Sequence, residues 1–283
     1  MVGNRSIIIR SRIHAYLAGT LCLVTRVLVP FLAARDHGKT RVLVFHHLDK
    51  AALFDRILRV LARRYHLLSF DDYLQGKKDP ARINVIVALD DGYRSWFDIG
   101  KPIFAAHGVK PLLFVSSDFI GLEDAAARHY CQERIKTWQE PSLTWEQLAV
   151  LAARGAEVGG HSLGHTNMLT ALPEERLVLI AQDRLALEGK LGIQVRCFSY
   201  PFGLHGSALT KDVEKSGYAY GFTSDSGFLE DSKGPLLLKR TNIGLRPPFV
   251  IEAFVEGWGD RISATMRRIK QGNLLRSLTG IRQ

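Results

Sequence analysis

Residues 84–93 are Asn-Val-Ile-Val-Ala-Leu-Asp-Asp-Gly-Tyr, an apolar run that ends in two adjacent carboxylates and a glycine. The run is rich in β-branched side chains and stops at turn-forming residues, which predicts a buried strand. Similar short apolar runs predict further strands at 42–45, 111–115, 156–158, 195–199 and 218–223. The polar residues that follow these strands are the first candidates for function.

Helical patterns lie between the predicted strands. Apolar residues recur at helical spacing within 53–61, 148–152 and 177–187. Thr144 and Gln147 match a capping box and predict that a helix begins just after Thr144. Alternating strands and helices predict an α/β fold with a parallel sheet, either a barrel or an open doubly wound sheet. In such folds the reactive residues lie at the C-terminal ends of strands.

Composition excludes several classes of protein. The chain has 283 residues, of which 46% are hydrophobic and 23% charged, so it is neither disordered nor collagen-like. Its three cysteines, Cys22, Cys131 and Cys197, are odd in number and widely spaced, which excludes a disulfide framework. They also lack the paired spacing of a zinc knuckle. Any metal would therefore be held by histidine and carboxylate side chains.

The net charge of +10 is concentrated in the two ends of the chain. Residues 1–41 carry seven basic side chains and one acidic one, and residues 261–283 carry six basic and no acidic ones. The remaining residues, 42–260, sum to about −2. A nucleic-acid enzyme would place positive charge around its active groove, so this distribution argues against nucleic acid as a partner.

These charges, together with the apolar patterns, predict three regions. Residues 1–40 form a basic, apolar N-terminal segment, 41–260 a single catalytic domain, and 261–283 a basic amphipathic tail. Arg26 interrupts the apolar run of the first region, which leaves three alternatives: a membrane-surface helix, a signal peptide or anchor, or a helix packed on the domain. We expect both ends to bind an anionic membrane surface. The unpaired cysteines and the interrupted run favour the cytoplasmic face over the exported side.

Two motifs at strand ends could bind a metal. Asp90 and Asp91 are adjacent, so their side chains point in different directions and can take separate tasks; the alternative is a helix cap or an Asx turn. His161 and His165 follow another predicted strand in a glycine-rich loop. Two imidazoles at this spacing, completed by a carboxylate from another strand end, could hold one divalent cation with open positions for water. Packing or surface exposure is the alternative for the histidines.

Two further motifs end strands. The turn at 198–203 contains proline and glycine and could direct a backbone N–H toward an oxyanion, although an ordinary turn would have the same sequence. His46 and His47 follow the first predicted strand. One of them could act as a general acid, and the alternative is a buried, hydrogen-bonded histidine.

Taken in this order, His46-His47, Asp90-Asp91-Gly92-Tyr93, His161 to His165 and Tyr200 to Gly203 resemble the polysaccharide deacetylase family. This family is also called the NodB-homology family or carbohydrate esterase family four, and the resemblance covers residues 41–245. It is greatest to the biofilm-type poly-N-acetylglucosamine deacetylases. The resemblance implies a distorted (β/α) barrel of parallel strands with helices outside, a divalent metal, and removal of N-acetyl groups from amino sugars.

The resemblance also implies roles for individual residues. Asp91, His161 and His165 correspond to the metal ligands, and Asp90 corresponds to the general base. The backbone N–H of Phe202 would help to stabilise the oxyanion. The metal would be zinc, with cobalt, nickel or iron as alternatives.

The sequence departs from the family pattern at two functional positions. Ser199 stands where many members have an arginine that orients the base, and Arg240 is the candidate substitute. The usual C-terminal Leu-His motif, which supplies the general acid, is absent. Because Phe45-His46 resembles the Tyr-His of the biofilm-type enzymes, His46 is the predicted acid, with His47 as the second choice.

The sequence therefore predicts a metal-dependent N-deacetylase whose substrate is an N-acetylated glycan or a lipid-linked sugar. A metal lowers the pKa of bound water from about 16 toward 7, so that Asp90 could accept its proton, and His46 could protonate the departing amine. We expect Tyr93 and Tyr200 to contact the substrate. The alternatives are a deformylase or other amidase on a lipid-linked amino sugar, and a non-catalytic carbohydrate-binding descendant.

Overall fold

The computed structural model describes residues 16, 17, 19, 20 and 35–262 of the chain. The chain divides into two compact units: a sheet unit, His37–Arg246, and a terminal unit made of Met1–Asp36 and Pro247–Gln283. Most of the predicted N-terminal segment and nearly all of the C-terminal tail lie outside the described residues. The predicted domain boundaries and the membrane-binding ends therefore stay predictions.

Eight parallel strands form one sheet in the sheet unit. They are β1 (Thr40–Phe45), β2 (His66–Leu67), β3 (Asn84–Asp91), β4 (Leu112–Val115), β5 (Glu157–Gly160), β6 (Cys197–Ser199), β7 (Tyr220–Phe222) and β8 (Thr241–Asn242). Their spatial order is β7-β6-β5-β4-β3-β1-β8, and β2 pairs with the start of β3. Every residue of β3 is buried. Burial on both faces explains why residues 85–89 are continuously apolar and do not alternate.

Helices connect the strands, as expected for parallel pairing. They are α1 (Ala51–Arg64), α2 (Phe70–Leu74), α3 (Lys101–His107), α4 (Asp124–Tyr130), α5 (Trp145–Ala153), α6 (Pro173–Leu191) and α7 (Ser207–Lys215), with α8 (Pro248–Val255) in the terminal unit. A π-helical turn, Trp96–Gly100, leads into α3, and a second, Cys131–Ile135, follows α4.

The sheet is curved, and one short segment pairs with both β7 and β1. Phe222 of β7 forms a parallel bridge with Leu238, and Thr241, only three residues further along, pairs with Leu43 of β1. Residues 238–242, which we call the closing segment, therefore contact both edges of the sheet. The predicted α/β fold, a distorted barrel of parallel strands with helices outside, is confirmed.

The predicted elements can be compared with those observed. All six predicted strands are present with shifted ends, whereas β2 and β8, of two residues each, were not predicted. The predicted capping box is confirmed: Thr144 Oγ1 accepts a hydrogen bond from the Gln147 N–H at 3.2 Å, and Gln147 Oε1 accepts one from the Thr144 N–H at 3.0 Å. This reciprocal pair satisfies two N–H groups that would otherwise be unpaired where α5 begins.

Within the terminal unit, α8 is apolar. Its Ala253 is buried against Trp258 and Ile262. Arg261 forms an ion pair of 2.9 Å with Asp36. Among the residues that the structure describes, no helix has both the length and the apolar character needed to cross a bilayer.

Candidate metal and catalytic centre

Three side chains from two strand ends converge in the sheet unit. Asp91 is the last residue of β3, while His161 and His165 lie in the loop that follows β5. Their potential ligand atoms all lie within 4.8 Å of one another. Asp91 Oδ1 is 3.6 Å from His161 Nε2 and 3.3 Å from His165 Nε2, and all three residues are buried. The sequence prediction that these residues meet at one point agrees with this geometry.

Hydrogen bonds fix the orientation of both imidazoles. His161 Nδ1 lies 2.8 Å from the Ser199 carbonyl oxygen, and His165 Nδ1 lies 3.3 Å from the Arg134 carbonyl oxygen. Because a carbonyl can only accept, each Nδ1 carries a proton, and each Nε2 faces Asp91. Burial lowers the pKa of His161 to about 4, against the opposing effect of Asp90. This imidazole is therefore neutral near pH 7, as metal ligation requires.

The donor set fits a divalent cation. Asp91 Oδ2 is buried and has no hydrogen-bond partner among the described residues. Burial opposes ionisation of Asp91, but the hydrogen bond from His165 and the nearby imidazoles outweigh it, and the pKa of Asp91 lies well below its usual value. An ionised carboxylate with an unsatisfied oxygen beside two imidazole rings is the donor set of a two-histidine, one-carboxylate metal site.

Backbone strain is concentrated at the same place. Among the described residues, five non-glycine residues have positive φ. Four of them lie at this site: Asp91 (91°), Ser162 (65°), His165 (48°) and Phe202 (58°). Each such conformation costs of order 1–3 kcal/mol and persists only where the surrounding structure imposes it. The backbone at these four positions is therefore locally unfavourable, and the surrounding structure holds it in the conformation that forms the site.

Asp90, the other carboxylate at the end of β3, points to different partners. Its Oδ1 accepts a hydrogen bond of 2.7 Å from Arg240 Nη1. The second guanidinium nitrogen, Nη2, donates to Ser199 Oγ at 2.8 Å, and that hydroxyl lies 3.5 Å from Asp90 Oδ2. Burial opposes ionisation of Asp90, but the Arg240 charge, followed by His161 and His46, outweighs it and lowers its pKa. Asp90 is therefore an ionised carboxylate that Arg240 holds on one side.

Arg240 reaches Asp90 because it lies in the closing segment. Its side chain is 1% exposed, and its Nε donates to the Thr223 carbonyl oxygen at 2.9 Å, just beyond β7. The guanidinium thus bridges β7, the Ser199 hydroxyl at the end of β6, and Asp90. Arg240 is the residue that the sequence analysis names as the candidate substitute for the missing arginine at position 199, and in the structure its guanidinium pairs with Asp90.

Replacing Arg240 with Met is expected to lower the free energy of unfolding by about 3–5 kcal/mol, because it leaves the buried Asp90 charge without its partner. Urea denaturation monitored by circular dichroism measures this. The matched control is Arg82→Met, which removes an exposed ion pair with Asp79 and should cost about 1 kcal/mol or less. Equal losses in the two variants would contradict the assigned role of Arg240.

Seven of the predicted site residues line one cleft of about 260 Å³. The predicted residues that line it are His46, Asp90, Asp91, His161, His165, Tyr200 and Phe202. The His46 carbonyl accepts a hydrogen bond of 2.6 Å from Trp96 Nε1. His47 is not among the lining residues, and its Nε2 lies 3.8 Å from Asp49. Of the two histidines considered for the acid, only His46 lies in the cleft wall.

Phe202 lies in a short 3₁₀ turn, Pro201–Gly203, directly after β6. Its N–H has no hydrogen-bond partner in the part of the chain that the structure describes. Its side chain is 45% exposed, and its ring centroid is 4.6 Å from that of His165. The free N–H of Phe202 is the feature that a backbone oxyanion donor requires.

The two tyrosines expected at the substrate differ in position. Tyr200 lines the cleft, but its hydroxyl donates to the Leu236 carbonyl oxygen at 3.0 Å. Tyr93 is completely buried and does not line the cleft. Its hydroxyl lies 3.2 Å from Thr137 Oγ1, and its ring packs edge-on against Phe119. The prediction that Tyr93 contacts substrate is therefore corrected, because its position after β3 directs the ring into the core.

One residue that supports the site was missed from the sequence. Asp183, completely buried in the middle of α6, accepts hydrogen bonds from the Ser117 N–H at 2.9 Å and the His161 N–H at 3.0 Å. Burial raises its pKa to about 7, against these hydrogen bonds, which lower it. The carboxylate joins the chain after β4 to the first histidine of the cluster. An acidic residue within a helical pattern carries no sequence signal for such a role.

Comparisons with known proteins bear on this fold and site. The sequence profile of the polysaccharide deacetylase family matches residues 77–221, about half of the chain. Among solved structures, the chain resembles the Streptococcus pyogenes deacetylase PplD in complex with acetate, with a TM-score of 0.63 and 19% identity over 77% of this chain and 98% of that one. It also resembles IcaB from Ammonifex degensii, with a TM-score of 0.60 and 19% identity over 79% of this chain and 98% of that one.

A curated relative, YxkH of Bacillus subtilis (strain 168), is named as a polysaccharide deacetylase and is 24% identical over 166 residues. That match covers 59% of this chain and 53% of YxkH, so the chain spans about half the length of that relative. The family match over half of the sequence establishes the class: the chain belongs to the polysaccharide deacetylase family. The family predicted from the strand-end motifs is thereby confirmed.

Proposed function

We propose that this chain is a metal-dependent N-deacetylase, which hydrolyses the acetamide of N-acetylated amino sugars in a glycan or a lipid-linked saccharide. The observation that carries the proposal is the meeting of Asp91, His161 and His165 in the same cleft as the Asp90–Arg240 pair. Family membership supports the reaction class. The mixed nitrogen and oxygen donors, without cysteine, favour zinc as the metal.

The residues around the cluster supply the protein's part of the reaction. A divalent cation held by the three ligands would supply Lewis-acid activation. Asp90, ionised and held by Arg240, accepts a proton from the attacking water. The water oxygen bonds to the acetamide carbonyl carbon, and the Phe202 N–H donates to the resulting oxyanion.

Cleavage of the C–N bond then requires a proton on the departing nitrogen. His46, on the cleft wall, is the proposed donor, because an imidazole N–H can supply a proton to a leaving nitrogen. The products are acetate and the free amino sugar. One water is consumed, and the proton taken by Asp90 balances the proton that His46 gives to the amine.

The experiment that tests this function measures metal content and acetate release together. Purified protein is incubated with oligomers of N-acetylglucosamine before and after chelation, and the products are separated by chromatography. We expect one bound divalent metal per chain and acetate release that chelation stops and added metal restores. Formate release from an N-formylated sugar without acetate release would instead favour a deformylase. Sugar binding without either product would favour a non-catalytic carbohydrate-binding protein.

We also propose that the basic ends of the chain hold the protein at an anionic membrane surface, with the cytoplasmic face favoured. Each basic residue near such a surface contributes roughly 1 kcal/mol. Replacing Arg267, Arg268 and Lys270 with Gln in the full chain should therefore weaken binding to phosphatidylserine-containing vesicles by about 100-fold.

Co-sedimentation measures that change. The matched control replaces Arg56 and Arg63 with Gln, two exposed arginines on α1 outside the chain ends, and should leave vesicle binding near the wild-type value. Absence of binding by the wild-type chain, or an equal loss in both variants, would contradict a role for the ends.

A further inference from the structure

Trp138 is an exposed aromatic side chain beside the cleft. It lies in the loop between the π-helical turn Cys131–Ile135 and α5, and it is 42% exposed. Its ring centroid is 4.1 Å from that of His47 and 5.6 Å from that of His46. The indole is thus supported on one side by the histidine pair while much of its surface faces solvent. Folding does not require a tryptophan to remain exposed in this position.

The loop that carries Trp138 is held firmly at the site. The residue before it, Thr137, lines the cleft. After it, the Pro141 carbonyl oxygen accepts a hydrogen bond from the Arg94 N–H at 2.9 Å, and the Leu143 N–H donates to the Gly92 carbonyl oxygen at 2.9 Å. Both contacts are with the chain that directly follows Asp91. The position of the indole is therefore coupled to the metal-ligand end of β3.

The polar and charged side chains of the cleft can address an acetamide, and on the side of His165 the exposed ring of Phe202 also lines it. A pyranose has hydroxyls around its edge and C–H groups on its faces. An aromatic surface complements those faces, and a rigid indole does so with little loss of conformational entropy. Among the residues near the cleft, Trp138 presents such a surface on the side of His46.

We propose that Trp138 is the stacking surface for a sugar ring of the substrate, and that it holds this ring so that its acetamide enters the cleft. This inference rests on the proposed function and adds to it a residue that selects a pyranose ring. Trp138 would contribute to substrate binding and would take no part in proton transfer. Its loss should therefore raise KM and leave kcat nearly unchanged.

The test compares acetate release from an N-acetylglucosamine pentamer by the metal-loaded wild type and by Trp138→Ala and Trp138→Phe. We expect KM to rise about tenfold in Trp138→Ala, with kcat within about twofold of the wild type, and to return most of the way in Trp138→Phe. Leu185→Ala is the control, because Leu185 is 66% exposed on α6 and does not line the cleft. A fall in kcat at constant KM would overturn the inference, since Trp138 would then act by supporting His46.

Tryptophan fluorescence during titration with the same pentamer separates this inference from the proposed function. A change in emission in the wild type that is absent in Trp138→Phe supports the stacking surface, even if no acetate is released and the proposed function fails. Normal acetate release with unchanged KM in Trp138→Ala overturns the inference and leaves the function standing. If the wild type shows neither acetate release nor a change in emission, both are overturned.

Discussion

Replacing Asp91 with Asn is expected to abolish metal binding and to reduce kcat by roughly 10⁴-fold or more. Asp91 is the only carboxylate in the cluster, and its Oδ2 has no other partner among the described residues to compensate for the loss. Lewis-acid stabilisation contributes several kcal/mol, and each 1.4 kcal/mol corresponds to a factor of ten in rate. Elemental analysis of the purified variant and acetate release from N-acetylglucosamine oligomers measure the two effects.

The control for this variant is Asp118→Asn. Asp118 is exposed, and its N–H donates to the Leu163 carbonyl oxygen, so it lies beside the same histidine-bearing loop without belonging to the cluster. Its replacement should leave the metal content at one per chain. Full metal content in Asp91→Asn would show that the three residues are not the ligands. Urea denaturation of both variants separates a lost ligand from a lost fold.

The strand-end positions of the candidate residues made the convergence of these three side chains predictable from sequence. Asp91, His161 and His165 each follow a short apolar run, and parallel strands bring their carboxyl ends to one edge of a sheet. Residues far apart in the chain therefore meet without any knowledge of side-chain packing. The sequence could not supply the distances, the imidazole orientations or the positive φ of Asp91, which depend on neighbours such as the Ser199 and Arg134 carbonyls.

The role of Arg240 depends on a feature that periodicity does not reveal. β8 has two residues and the bridge at Leu238 has one pair, so the closing segment is too short to show alternation. The closing segment contacts both edges of the sheet because the sheet is curved, and this curvature places Arg240 next to Asp90. From sequence, Arg240 was a candidate because Ser199 stands where many members of the family have an arginine. The ion pair of 2.7 Å is a result of tertiary structure.

Tyr93, in contrast, was predicted to contact substrate but is buried in the core. It follows Asp90, Asp91 and Gly92 in the chain. Gly92 has a φ of 113°, a conformation that side chains other than glycine rarely adopt, and the chain turns sharply there. The next residue is consequently directed into the core, where Phe119 packs against it. Sequence adjacency to a site is weak evidence for contact when a glycine turn intervenes.

Replacing His46 with Ala is expected to lower turnover by roughly 10²–10⁴-fold while leaving metal content unchanged. His46 lines the cleft with Asp90 but is not part of the metal cluster, so its loss should remove proton donation to the departing amine and spare the ligands. Single-turnover measurements with an N-acetylated oligomer report the turnover, and elemental analysis reports the metal content.

His47→Ala is the matched control, because the His47 ring packs against Trp138 outside the cleft wall. The kcat of this variant should remain within about threefold of the wild type. Unchanged turnover in His46→Ala would contradict this assignment and would leave His47 or water as the general acid. A loss of turnover in His46→Ala alone would support His46, which lines the same cleft as Asp90, as the proton donor.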